Sequence, residues 1–334
     1  MIRYFLYAII YVVLQGFFSP VAGQQKMFRL YEENDFLNFH GRATDEAYTN
    51  GTRIDFFKEA GRADRFILNR WMPEAGANSV NTFGWSIMQL IYTPVNIRAQ
   101  VPDQSDNPYA GALFLIRSLR SENRARMIRY QTEVMAGLTG PYSFARETQR
   151  TVHRLTNDPL PEGWHHQIRT NLILNIDFTA EKQYWKPNRH IDISGAVNFK
   201  AGTLWTGISS YTVIRTGKIN DLFNGFINHY HSAEPVNEQT RFQFYALLKP
   251  GISYNLKNTL ISGGLFEAKG RQKPEAREEE LERAIPRKIA YGYDYGFVIS
   301  VNKLSLEITQ KVSTADIRGN RKHEVGNISI YKVF

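Results

Sequence analysis

A chain of 334 residues is long enough for one large domain or two ordinary ones. It contains no cysteine, which excludes a disulfide framework, a thiolate metal site, a cysteine nucleophile and a lipoprotein anchor. A formal charge of +9 suits nucleic acid or phosphorylated lipid. The aromatic load of 13%, with 18 Tyr and 21 Phe, suits the interfacial girdles of a membrane barrel.

Residues 1–23 read as a signal peptide: Arg3 is the positive flank, Tyr4 to Phe18 is mostly apolar, and Val21 and Gly23 mark a cleavage site. The mature chain, 24–334, then reads as a single domain. It has no further run approaching the ~20 apolar residues of a spanning helix. An exported chain of this kind leaves lipid, and no nucleic acid, as the acidic partner.

Period-2 alternation recurs along the chain. Arg129, Gln131 and Glu133 oppose Ile128, Tyr130 and Val134; Leu172, Leu174, Ile176 and Phe178 oppose Asn171, Asn175 and Asp177, with Ile173 out of phase; Leu304, Leu306 and Ile308 oppose Lys303, Ser305 and Glu307. A soluble sandwich would show the same alternation. The signal peptide, the aromatic load and the aromatic end of the last strand, Phe334, favour a transmembrane antiparallel β-barrel in the outer membrane. Twelve strands are expected, near 27–33, 47–58, 83–92, 110–121, 125–139, 168–183, 189–200, 203–216, 241–255, 289–301, 303–315 and 323–334. The stretch 257–270 reads as a hairpin extension above the membrane, and 271–288 as a loop or short helix whose charges are solvated.

Alternating strand direction brings five polar clusters to one side of the outer rim. These are Glu32-Glu33-Asn34-Asp35-Phe36, Tyr48-Thr49-Asn50-Gly51, Ile91-Tyr92-Thr93-Pro94, Asp106-Asn107-Pro108-Tyr109-Ala110-Gly111 and Gly137-Leu138-Thr139-Gly140-Pro141. A short extracellular helix follows, with Ser143 as N-cap and Asn157-Asp158-Pro159 as its stop. Such a helix puts Gln149 and His153 on one face, with Arg146, Arg150 and Arg154 as a neighbouring basic stripe. A histidine base can draw a proton from water near neutral pH. Asn34, Asp35 and Gln149 offer oxygens of the kind calcium takes, ~6–8 at a time. Ester hydrolysis is the chemistry such a set can run, and no Gly-x-Ser-x-Gly elbow points to a serine hydrolase.

In their order, Asn34-Asp35, Tyr48-Thr49-x-Gly51, Ile91-Tyr92-Thr93-Pro94, Pro108-Tyr109-Ala110-Gly111, Gly140-Pro141 and Gln149-x-x-x-His153 resemble the outer-membrane lipid A 3′-O-deacylases. The resemblance covers the first half of the mature chain. It implies a barrel that removes the 3′-linked acyloxyacyl group of lipid A with calcium. His153 would be the water-activating base, Asn34 an oxyanion donor and Thr49 a neighbour of both. Asp35, Gln149 and Asp158 would hold or support Ca2+, and Arg98, Tyr109, Arg146 and Arg150 would meet the substrate. Asn107 departs from the family, where arginine is frequent. The chain is read as a monomer. The competing readings are a non-catalytic porin or adhesion barrel, and a barrel phospholipase or acyltransferase.

Overall fold

The computed structural model describes residues 25–38, 47–60, 66–230, 242–264, 285–320 and 322–334. The expected signal peptide lies outside them.

Twelve strands close into one antiparallel barrel, each paired with its neighbours in sequence and β1 with β12. They are β1 Lys26–Asn34, β2 Ala47–Glu59, β3 Val80–Thr93, β4 Ala110–Asn123, β5 Ile128–Thr139, β6 Leu172–Asn188, β7 Ile191–Gly202, β8 Trp205–Lys218, β9 Phe242–Asn258, β10 Ile289–Val301, β11 Leu304–Ser313 and β12 His323–Val333. Closure leaves no sheet edge to satisfy in lipid, which is why strands can cross a membrane at all. The start of β1 and the end of β12 lie at one end of the barrel, the periplasmic one, and the long connections 94–109 and 140–171 at the other.

The alternation resolves into lipid and lumen faces as expected. Leu172, Leu174 and Ile176 are each 52% exposed on the outer wall, whereas the out-of-phase Ile173 is fully buried. Inside, charges are paired across strands: Arg29 and Arg53 share Asp55, Arg53 also reaches Glu133 at 2.9 Å, and Arg129 joins Glu122 at 2.7 Å to Glu181 at 3.1 Å. Arg215 pairs with Asp192.

Apolar clusters pack inside both ends of the barrel among the described residues. At the outer end Ile168, Ile173, Leu204 and Leu260 pack onto the lumen-facing Leu90, Tyr92, Ala112 and Phe114. At the periplasmic end a short helix, Phe226–Tyr230, in the β8–β9 connection, packs on Met27, Phe57, Tyr331 and Val333. Tyr230 stacks on Tyr331 with ring centroids 3.9 Å apart.

One expectation is corrected here, and one element was not foreseen. Residues 259–262 do not extend a hairpin: Thr259–Ser262 is a helical turn, its N-terminus capped by Asn258 Oδ1, that drops Leu260 into the outer mouth. The periplasmic helix went unpredicted, because five residues show too little periodicity. Residues 265–284 lie outside the described part.

Candidate active site

Strand register builds the site platform. In β1 the odd-numbered residues Met27, Arg29, Tyr31 and Glu33 face the lumen, so Asn34 faces outward. Asn34 pairs with Asn50 on β2, Asn50 with Ile91 on β3, and Ile91 with Gly111 on β4. These four residues form one row along the outer wall at the extracellular rim. A bulge between Tyr48 and Asn50 leaves Thr49 as the extra residue, buried, with its hydroxyl 2.7 Å from that of Thr93.

A helix lies on this row. Helix α1, Ala145–Thr156, contacts β3 and β4 and buries Ala145, Gln149 and His153. Ile91, Tyr109, Ala145 and Trp164 pack together on the outer side of β3, while its neighbours Leu90 and Tyr92 pack into the lumen. Gly111 permits the approach: a Cβ there would overlap Ser143 Oγ and Ala145 Cβ. Gln89, also on the outer wall, donates to the Ser143 carbonyl at 2.7 Å.

Ser143 does not cap the helix as expected. A 3-10 turn, Gly140–Ser143, draws its hydroxyl back to the Gly140 carbonyl at 2.6 Å, and Phe144 takes the cap position in a left-handed conformation. Gly140 itself has φ +75° and sits against the backbone of Ile168 and Arg169, where a Cβ would stand 2.7 Å from the Ile168 carbonyl oxygen. The helix stops where predicted, on Asn157 at φ 64°.

The proline-rich turn after the helix fixes the imidazole. His153 Nδ1 lies 2.6 Å from the Pro159 carbonyl oxygen. A carbonyl only accepts, so Nδ1 carries the proton and Nε2 is the basic nitrogen of the neutral ring. Arg150 donates to the next turn carbonyl, Pro161, at 3.3 Å.

The two carboxamides are oriented by the same logic. Asn34 Oδ1 accepts from Phe36 N at 2.8 Å, which leaves its Nδ2 as the outward donor. Gln149 Oε1 accepts from Trp164 Nε1 at 2.8 Å, and its buried Nε2 has no hydrogen-bond partner. This reverses the expectation for Gln149: it presents N–H groups, which cannot ligate a cation.

Asp35 is buried beside Asn34, as a metal or charge-holding group needs. Asp158 is exposed, its carboxylate taken by Thr156 Oγ1 beyond the helix end, and is not assembled with Asp35 or Gln149 as a ligand set. Among the described residues no group of three or more His, Asp or Glu side chains is placed to hold a metal ion. Of the predicted calcium ligands only Asp35 therefore fits, and no chemistry is derived through a cation.

Tyr109 is also corrected. It is fully buried, its hydroxyl donates to the Ile97 carbonyl at 2.9 Å and its ring packs on Trp164 with centroids 4.9 Å apart. It braces the 94–109 loop against the helix and offers no surface to a substrate. Arg98 is exposed on that loop. Asn107 is buried, with Oδ1 lacking a partner.

Around the helix, the wall-facing stripe is flanked on one side by Arg146, Arg150 and Arg154 and on the other by half-exposed Val152 and Leu155. Cations on one flank and apolar groups on the other suit a helix lying at a membrane surface.

Comparison with known proteins decides the family. The family described as outer membrane protein LpxR matches residues 6–334. This chain belongs to the LpxR family. It is similar in structure to LpxR from Salmonella typhimurium, with a TM-score of 0.69 and 14% identity, over 92% of this chain and all of that one. Two autotransporter barrels align less well. The β domain of Bordetella BrkA gives a TM-score of 0.43 at 8% identity, over 93% of this chain and 98% of that one. The translocator domain of NalP from Neisseria meningitidis gives 0.40 at 6%, over 99% and 96%. No curated protein matches the sequence. As an LpxR-family barrel, the protein resides in the outer membrane.

Residues that sequence reading left without a role are Trp164, Gly111, Gln89 and the Pro159 carbonyl. Gly111 had a signal, the close of the Pro108-Tyr109-Ala110-Gly111 motif. Trp164 and Pro159 act through contacts made only after folding.

Proposed function

We propose that this protein is a lipid A 3′-O-deacylase that hydrolyses the 3′-linked acyloxyacyl ester at the outer wall of its barrel. The observation that carries this reading is the pinned imidazole of His153, on a helix clamped to the extracellular rim of an LpxR-family barrel. A site on the outer wall suits a lipid substrate that arrives laterally in the outer leaflet.

His153 Nε2 takes a proton from water, and the water oxygen attacks the ester carbonyl carbon. Positive charge on the ring is stabilised by Nδ1–H donating to Pro159. The oxyanion is met by the Asn34 amide, whose oxygen is already used and whose N–H groups are therefore available. The buried Gln149 amide offers a further donor to a substrate oxygen. On collapse, the ester C–O bond breaks, the acyloxyacyl unit leaves as its carboxylic acid, and the proton returns from His153 to the sugar 3′ oxygen.

Calcium is part of this proposal through Asp35 alone. Turnover is expected to be lost on chelation and restored by calcium, and Asp35→Ala is expected to raise the calcium concentration needed. Full activity after exhaustive chelation removes the ion from the mechanism.

The basic flank of α1 is proposed to face lipid A phosphates, which guanidinium groups bind through paired charge-assisted bonds. Replacing Arg146, Arg150 and Arg154 together by Gln is expected to raise KM several-fold at low salt, with a smaller effect at high salt. Kinetics unchanged at low salt would make the stripe a solvated surface.

Lipid A and phospholipids from cells with and without the protein, compared by mass spectrometry, test the reading as a whole. Loss of one acyloxyacyl unit from lipid A is expected. Unchanged lipids would favour a non-catalytic barrel, and altered phospholipids a phospholipase or acyltransferase.

A further inference from the structure

The β2–β3 connection at the periplasmic end carries a feature that the catalytic site does not use. Its 3-10 segment, Ile67–Trp71, lies against the outer wall of the barrel rather than across the mouth. Leu68 and Met72 face the wall and pack on Phe83 and Leu119 of β3 and β4. Phe66 meets Trp85 edge-on, ring centroids 5.2 Å apart. Trp85 is a lipid-facing residue of the wall, 45% exposed and paired with the equally outward Phe56.

Between Trp85 and Val134 in this same row stands Arg117. A cation on the lipid face of a barrel is destabilising unless it is covered and paired. Here it is 5% exposed, because the segment covers it: the guanidinium donates to Asn69 Oδ1 at 3.1 and 3.2 Å and to the Gly84 carbonyl at 3.3 Å. It also lies over the rings of Phe66, Phe83 and Trp85 at 5.3, 5.0 and 5.1 Å. The segment thus occupies the place a lipid chain would otherwise take.

Its own outer side is apolar where a periplasmic turn facing water would be polar. Trp71 is 83% exposed, Ile67 66% and Phe66 38%, with Arg70 exposed between them. This apolar face is continuous with the lipid-facing row Phe28, Phe56 and Trp85.

We propose that residues 66–72 are a membrane-binding wedge, with Ile67 and Trp71 inserted among phospholipid acyl chains of the periplasmic leaflet and Arg70 at their phosphates. Tryptophan and arginine are suited to this boundary because one carries an apolar body with a polar edge and the other a long apolar stem. The wedge anchors the end of the barrel opposite the active site. Its occupant is the phospholipid monolayer and no protein partner.

The absence of cysteine makes the test direct. Single cysteines at Ile67, Trp71, Leu174 and Asn78 are spin-labelled in the purified barrel, reconstituted in phosphatidylethanolamine–phosphatidylglycerol vesicles. Collision with oxygen, which concentrates in lipid, is compared with collision with a water-soluble nickel chelate. Leu174, 52% exposed on the wall, sets the lipid value and Asn78, exposed in the same connection, the aqueous one. Labels at 67 and 71 are both expected to favour oxygen as at 174. Labels at 67 and 71 that favour the nickel chelate as at 78 would overturn the proposal. So would labels shielded from both reagents, since that means protein cover.

Discussion

Replacing His153 by alanine is expected to lower turnover by ~10²–10⁴-fold, the range that a general base supplies. His153→Gln should do no better, since an amide has no basic nitrogen at neutral pH. The wild-type rate should fall on acidification, because a protonated ring cannot accept water's proton. In both variants, with the base gone, the residual rate should lack this acid dependence. Assembly should survive, because His153 belongs to α1 and to none of the twelve strands. The stranded Pro159 carbonyl costs about 1–3 kcal/mol, confined to the turn. Initial rates of fatty-acid release, read beside a heat-modifiable gel shift for the folded barrel, check this. A folded His153→Ala protein with near wild-type turnover would end the assignment.

The second large effect is expected far from any acid–base group. Gly111→Leu should cut turnover by ~10²-fold or more while the barrel still assembles. The backbone pairing of Gly111 with Ile91 is kept, but the new side chain occupies the space of Ser143 and Ala145. The start of α1 must lift from β4, and His153 and Gln149 move with it. A displacement of ~1 Å at a reacting group is worth about this factor. The readouts are kcat and the folded-barrel gel shift; loss of assembly together with activity would mean that Gly111 serves the strand ladder instead. Retained activity would mean that α1 does not have to dock.

The barrel was legible in the sequence because period-2 alternation recurs along the chain. It fails in β4, where the run from Ala112 to Ile116 is apolar on both faces, and even the anomaly at Ile173 had a cause, burial in the outer mouth. Strand ends were less legible. The expected start at 125 moved to Ile128, since residues 124–127 form a turn with Met127 at φ 51°. The helix carrying Gln149 and His153 was legible from its spacing, and the structure buries both on the wall side.

What the sequence could not yield were the hydrogen bonds that decide each group's chemistry. Gln149 counts as an oxygen donor to a metal until Trp164, fifteen residues on, takes its oxygen. Tyr109 counts as a substrate contact until its burial under Trp164 is known. Asp158 matches by approximate spacing, but Asn157 ends the helix and turns it outward. Conversely the Pro159 carbonyl, invisible as a motif, fixes the imidazole tautomer. Side-chain identity and spacing locate a site, while the lone pairs already spoken for determine what it can do.

The central claim is that a water molecule, activated at the outer wall, breaks the 3′ ester of lipid A. The most direct test is to incubate the purified barrel with lipid A in detergent micelles containing ¹⁸O-water and to weigh both products. The account predicts one ¹⁸O in the carboxylate of the released acyloxyacyl acid and none on the sugar, because attack is at the acyl carbon. A barrel that releases no acyl acid, or that delivers the acyl group unlabelled to another lipid, would contradict it.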